Sequence, residues 1–143
     1  ARLGVKDYVE KLEQVMIRTA ADFHVKAEQN SMNRGVWVGN NKLGSIGVAV
    51  RRGISFHGFA FNVNVSLEPF RWINPCGLRG IRVTTLEKES VCKISVNPVR
   101  DSIKAHIRAV FDVEPVRSDL SELLTCSYRL EQKHCPECKI ERT

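Results

Sequence analysis

A thiol, an amine and an imidazole stand within residues 35–80 at Cys76, Lys42 and His57, the ingredients of a thiol acyl-transfer site. Cys76 lies between Pro75 and Gly77, a pair that forces a turn and presents side chains and free backbone N–H groups at a surface. A thiol attacks only as its thiolate, with an unperturbed pKa of about 8.5, so it needs a base or a positive charge nearby. Lys42 is the candidate, because Gly44, Ser45 and Gly47 behind it leave room around its strand. A lysine is more often a solvated surface charge. The run of small residues fits close approach of a ligand, and it fits a bulge or a tight strand crossing equally well.

The elements that must hold these groups are legible from periodicity. From Val5 to Phe23 apolar residues recur at helical spacing, giving an amphipathic scaffold helix. Residues 25–34 are polar and read as a connection. Two strands follow, with Asn40 and Asn41 as the tight turn between them. Strict alternation places Lys42, Gly44, Ile46, Val48 and Val50 on one face of the second strand, and Leu43, Ser45, Gly47 and Ala49 on the other. A turn at Arg51, Arg52 and Gly53 leads into a strand over residues 54–65, in which Asn62 and Asn64 share a face. Half-buried amides need partners, so this pair should orient something.

Residues 66–80 read as a loop punctuated by Pro69, Pro75, Gly77 and Gly80. The run Thr84-Thr85-Leu86-Glu87 fits a capping box and predicts a short helix starting near Thr85. Asn97 as cap and Pro98 in the first turn predict another helix, whose buried face is Val99, Ile103, Ile107, Val110 and Phe111. A brief helix is expected over residues 118–124, and residues 126–143 read as an irregular tail of a single domain covering residues 1–143.

Composition narrows the class. With 143 residues, 43% hydrophobic and 27% charged, the chain has the make-up of one globular domain. No apolar run approaches the roughly 20 residues that cross a bilayer, so no membrane association is expected. The formal net charge of +6 favours acidic partners without naming them. Five cysteines in no regular framework point to free thiols and a cytoplasmic setting.

The block GVWVG…KLGSIG…RRG-x-SFHG-x-A-x-NVN…L-x-PF…INPCG resembles the lipoyl(octanoyl) transferases, densely over residues 35–80 and more loosely from Ala1 to Phe111. The resemblance implies an α+β fold, with a mixed sheet packed against helices as in lipoate and biotin protein ligases. It implies transfer of an octanoyl group from octanoyl-acyl carrier protein to a lysine of lipoyl domains, those of 2-oxoacid dehydrogenases and of the glycine cleavage H protein. Cys76 would carry the acyl group as a thioester and Lys42 would act as acid and base. Gly44, Ser45, Ile46, Gly47, Ser55, His57, Gly58, Phe59, Ala60 and Asn62 would form the acyl-binding surface, with Asn62 and Asn64 also bracing the Cys76 loop. No cofactor, metal or ATP is called for, because the donor is already a thioester. The acidic partners would be steered by Arg51, Arg52, Arg71, Arg79 and Arg82, although the same arginines read as ordinary solvated edges.

Two departures qualify the resemblance. Family members carry an upstream segment with Arg-Gly-Gly and His-Gly-Pro-Gly-Gln motifs; neither occurs here, so the catalytic domain is expected to be incomplete at its N-terminal side, with exposed apolar surface where strands are missing. Cys126, His134, Cys135 and Cys138 include one CxxC of zinc-knuckle spacing, which is weak alone, and an irregular tail is the favoured reading. Two rival functions remain at this level: an ATP-dependent lipoate or biotin-type ligase, which would not need Cys76, and a basic nucleic-acid-binding module, made unattractive by scattered arginines and two tyrosines.

Overall fold

The computed structural model describes residues 3–30, 33–72, 81–116, 119 and 121. The chain divides into two compact units, Ala1–Val113 and Glu114–Thr143. The expected helix over residues 118–124, the cysteine-bearing tail and Cys76 itself fall largely or wholly outside the described residues.

Helix α1 spans Val5–Asp22 and buries Leu12, Met16 and Ala20 of the apolar stripe, together with Val15 outside it, while Val5 at its start is exposed. It also buries Glu13 and Thr19, which no hydrophobic pattern anticipates. Helix α3, Val96–Phe111, runs antiparallel to it: Tyr8 stacks on Phe111 with ring centroids 5.5 Å apart, while at the other end Ser102 donates to Asp22. The α3 cap is Ser95 rather than Asn97, so Pro98 sits at the third helical position, where its missing N–H still costs no helical bond. Between the long helices in sequence lies α2, Leu86–Ser90. Its cap is Thr85, one residue later than the Thr84 of the expected box, and Thr85 Oγ1 accepts from the Lys88 N–H at 3.2 Å. Glu87 is not part of a box; its carboxylate accepts from the Ile94 N–H at 2.9 Å.

The sheet is mixed. Strands β1 (Glu28–Gln29), β2 (Val36–Val38), β3 (Asn41–Arg51) and β4 (Ile54–Phe61) lie in that order and pair antiparallel; β5 (Arg82–Val83) pairs parallel with β3. The connection expected over residues 25–34 thus contains a short strand. The fourth strand stops at Phe61 rather than at residue 65, because the Asn62 carbonyl accepts from the Leu86 N–H at 2.8 Å and the next carbonyl from Glu87, turning the chain towards α2.

Both hairpin turns have two residues. Gly39 (φ 56°) opens the first with Asn40 behind it, so the turn is Gly39-Asn40 and Asn41 already belongs to β3. Positive φ at the first position alone is the type II′ pattern. Arg52 (φ 52°) and Gly53 (φ 82°) form the second, whose two positive φ values are the type I′ pattern.

Alternation along β3 fails at one place, and it matters for Lys42. Val36 pairs with Gly44 but Trp37 pairs with Lys42, so Leu43 is an extra residue on the β3 side. This bulge turns two successive positions inward. Leu43 is fully buried in the core, and the Cβ position of Gly44 faces Met16. Lys42 therefore shares a face with its cross-strand partner Trp37, not with Gly44 and Ile46 as strict alternation predicted.

Met16, Ala20, Val36, Leu43, Leu86 and Val99 are the centre of the core, joining α1, the sheet, α2 and α3. Full burial of a Met or Leu side chain here contributes about 1.5–3 kcal/mol. Strand β4 is an edge: no described strand pairs with its outer side, and Ile54 and Phe56 are about half exposed.

Candidate active site

Lys42 is the most unusual side chain of the sheet, a lysine with 2% exposure. Its Nζ donates to the Asn33 side-chain oxygen at 3.0 Å and lies 5.3 Å from the centroid of the Trp37 ring. An amide oxygen and a π face are both groups that offset the cost of taking an ammonium out of water. The Trp37 indole N–H in turn donates to the Asn33 carbonyl at 3.2 Å, so Asn33 binds both partners. Strand β5 fixes the lysine's main chain from the side: Lys42 pairs with Val83, and its carbonyl accepts from the Thr84 N–H at 2.9 Å.

A cleft of about 780 Å³ opens further along the same hairpin, between strands β3 and β4 and the two long helices. It is within the size range of small-molecule sites. Seven of the ten expected acyl-binding residues line it: Ser45, Ile46, Gly47, His57, Gly58, Phe59 and Ala60. Gly44 does not, being packed under Met16, and Asn62 lies past the strand end. Ser55 sits on the neighbouring surface depression, where its hydroxyl donates to the Tyr8 hydroxyl at 3.1 Å. Asn64 donates to the Ile94 carbonyl at 3.0 Å, in the connection from α2 to α3, while the Cys76 loop that it was expected to brace lies outside the described residues.

The glycines in the cleft leave space rather than relieve crowding. A Cβ at Gly47 or at its cross-strand partner Gly58 would meet no atom within 4 Å. His57 has φ of 68° in the middle of a strand, a region L residues occupy at a cost of about 1–3 kcal/mol, and such residues cluster at ligand sites. The opposite wall was missed by sequence reasoning: Tyr8 and Leu12 from α1, and Ile107 and Phe111 from α3. Their helical stripes marked them as core. That the two stripes diverge at this end and leave a gap was not encoded in spacing.

Arg51 and Arg52 are exposed at the hairpin tip and Arg82 on β5; Arg79 lies outside the described residues. Among the described residues there is no cluster of histidine, cysteine or carboxylate side chains suited to a metal, and no helix long and apolar enough to cross a membrane.

Comparison with known proteins agrees with this arrangement. Residues 1–108 match the family model of the lipoyl protein ligase A/B catalytic domain. An octanoyltransferase of Desulfotalea psychrophila is 56% identical over 91 residues, covering 62% of this chain and 41% of that protein. One of Syntrophobacter fumaroxidans is 39% identical over 121 residues, covering 85% and 53%. The chain spans about half the length of these curated relatives. A crystal structure of lipoate-protein ligase A bound with ATP superposes with a TM-score of 0.72 at 12% identity, over 93% of this chain and 57% of that one, a likeness of fold. A sheet-borne buried lysine, an adjoining cleft and a match over residues 1–108 lead to one assignment: the chain belongs to the lipoyl protein ligase A/B catalytic domain family.

Proposed function

We propose that this chain carries the Lys42 half of an octanoyl-transfer site and acts through a Cys76 thioester, moving octanoyl from octanoyl-acyl carrier protein to a lysine of a lipoyl domain. The observation that carries the reading is the Lys42 amine, buried at 2% exposure on the sheet and held by the Asn33 amide oxygen and the Trp37 indole face. Support comes from β5, which follows Cys76 in sequence and pairs directly with Lys42. Val83 is seven residues beyond Cys76, a reach of at most about 25 Å for extended chain.

In the first half-reaction the Lys42 amine takes the Cys76 thiol proton, and the thiolate attacks the carbonyl carbon of the donor thioester. The tetrahedral intermediate collapses with loss of the carrier thiol, which leaves with the proton returned by Lys42. In the second half-reaction Lys42 removes a proton from the acceptor amine, which otherwise stays protonated and inert near neutral pH. That amine attacks the Cys76 thioester, an amide forms, and the cysteine thiolate leaves and is reprotonated. Both steps exchange one acyl bond for another, so neither needs a nucleotide. The apolar cleft along β3 and β4 takes the hydrocarbon chain, with Gly47 and Gly58 giving its floor close approach. Exposed Arg51, Arg52 and Arg82 draw the acidic protein partners, and a cytoplasmic setting suits both partners and free thiols.

Intact-protein mass spectrometry after mixing with octanoyl-acyl carrier protein tests this reading. One octanoyl group should be gained without ATP, should be absent in Cys76→Ser, and should appear at least about a hundredfold more slowly in Lys42→Ala. Acylation of an acceptor that requires ATP and free octanoate and survives Cys76→Ser would instead assign a ligase.

A further inference from the structure

Glu13 is the one acidic side chain that α1 buries, with 1% exposure, and among the described residues its two oxygens accept from three donors. The Gly35 N–H donates to Oε1 at 2.9 Å; the Gln29 side-chain amide and the Arg34 guanidinium donate to Oε2 at 2.9 and 3.3 Å. Gln29 ends β1, and Arg34 and Gly35 belong to the stretch that joins β1 to β2. That stretch is wrapped against Lys42: a Cβ at Gly35 (φ 121°) would stand 3.0 Å from Lys42 Cε and 2.4 Å from the Gly44 carbonyl oxygen. Two residues earlier Asn33 holds the Lys42 amine, and two residues later Trp37 supplies the ring beside it.

We infer that Glu13 is a positioning residue for Lys42: its buried carboxylate clamps residues 33–37 as a collar around the amine. A buried carboxylate is retained only where several donors satisfy it, and here Arg34 and Gly35, two of the three described donors, lie in the collar itself. Glu13 does not touch the amine; it acts through Gly35, Arg34 and Asn33. The catalytic side of this inference rests on the acyl-transfer reading, whereas the collar itself can be measured without any reaction.

The test is a double-mutant cycle of Glu13→Gln and Asn33→Ala, followed by the rate at which Lys42 alone is modified by acetic anhydride, read by peptide mass spectrometry against the exposed Lys6 and Lys104. Each single change should raise Lys42 modification at least about fivefold with the reference lysines unmoved, and the double variant should not exceed the larger single effect. In octanoyl transfer the same variants should lower kcat about tenfold with KM held within about twofold, and Glu13→Asp should recover part of the loss. Unchanged Lys42 modification in folded Glu13→Gln, or effects of the two changes that multiply, would overturn the inference. If Glu13→Gln does not fold, Gln29→Ala with Arg34→Ala removes two of the three donors, and the same labelling result decides. A wild-type chain that transfers no octanoyl but shows the labelling pattern keeps the collar and sinks the acyl-transfer reading.

Discussion

Gly44 lies directly beneath Met16, and a Cβ built on it would fall 2.7 Å from the methionine sulfur. It would also stand 3.3 Å from the Ala60 carbonyl oxygen and from Phe61. Met16 is fully buried and cannot swing into solvent. Gly44→Ala should therefore destabilise by about 1–3 kcal/mol, the usual cost of overpacking, and a lowered urea midpoint at unchanged slope is the measurement.

Gly47, three residues along the same strand, should behave in the opposite way. Its Cβ position is open and faces no atom within 4 Å, and a β-branched residue suits a strand. Gly47→Val should leave stability unchanged or raise it by up to about 1 kcal/mol. By alternation from Gly44 the added methyl groups point to the sheet face away from α1, so the KM for an octanoyl donor should stay within about twofold. Thermal melting and steady-state kinetics on one preparation check both outcomes.

The far ends of the long helices are tied by Asp22, which accepts from the Ser102 hydroxyl at 2.6 Å and lies 2.8 Å from His106 Nε2. The Ser102 hydrogen bond holds the Asp22 carboxyl below its ordinary value; burial opposes it, and the hydrogen bond and charge of His106 add smaller lowering effects. A depressed carboxylate contributes stability above its unfolded value and loses it as pH falls through the folded one. Asp22→Asn should thus cost less than about 1 kcal/mol at pH 7, because the site is half exposed, and nothing at about pH 2. Melting temperatures of both proteins across that range check the convergence.

Thr85 caps α2 from a nearly buried position, and Thr85→Ala removes the acceptor for the Lys88 N–H. A loss of about 1 kcal/mol is expected, recovered in part by Thr85→Ser. Chemical denaturation of the three proteins distinguishes a lost cap from a lost core contact, since Ser restores only the hydroxyl.

Long periodic elements were readable from the residues: α1 begins at Val5 and ends within a residue of expectation, and both hairpins turn within one residue of theirs. What was not readable depended on partners far away in sequence. The two-residue strands β1 and β5 are too short to alternate, and they exist only because β2 and β3 offer free edges. The bulge at Leu43 follows from packing against Met16 and moved Lys42 to the other face. At the site, Lys42 and the glycine-rich floor of the cleft were visible as types at a spacing. Asn33, Trp37 and Glu13 were not, because an ordinary connection, a three-residue strand and an ordinary helix supply them. The exposed apolar side chains expected at a sheet edge are found at Ile54 and Phe56 on β4.

The parallel contact between Lys42 and Val83 has a kinetic corollary. The β3–β4 hairpin joins neighbours across a two-residue turn and closes on a timescale of about 1–10 μs. Tying residue 83 to residue 42 closes a far longer loop and must await it, with the larger entropic penalty that loop length brings. The surroundings of the buried amine are therefore assembled late and released early, so amide hydrogen exchange should find the backbone of Thr84 opening before that of the hairpin it leans on.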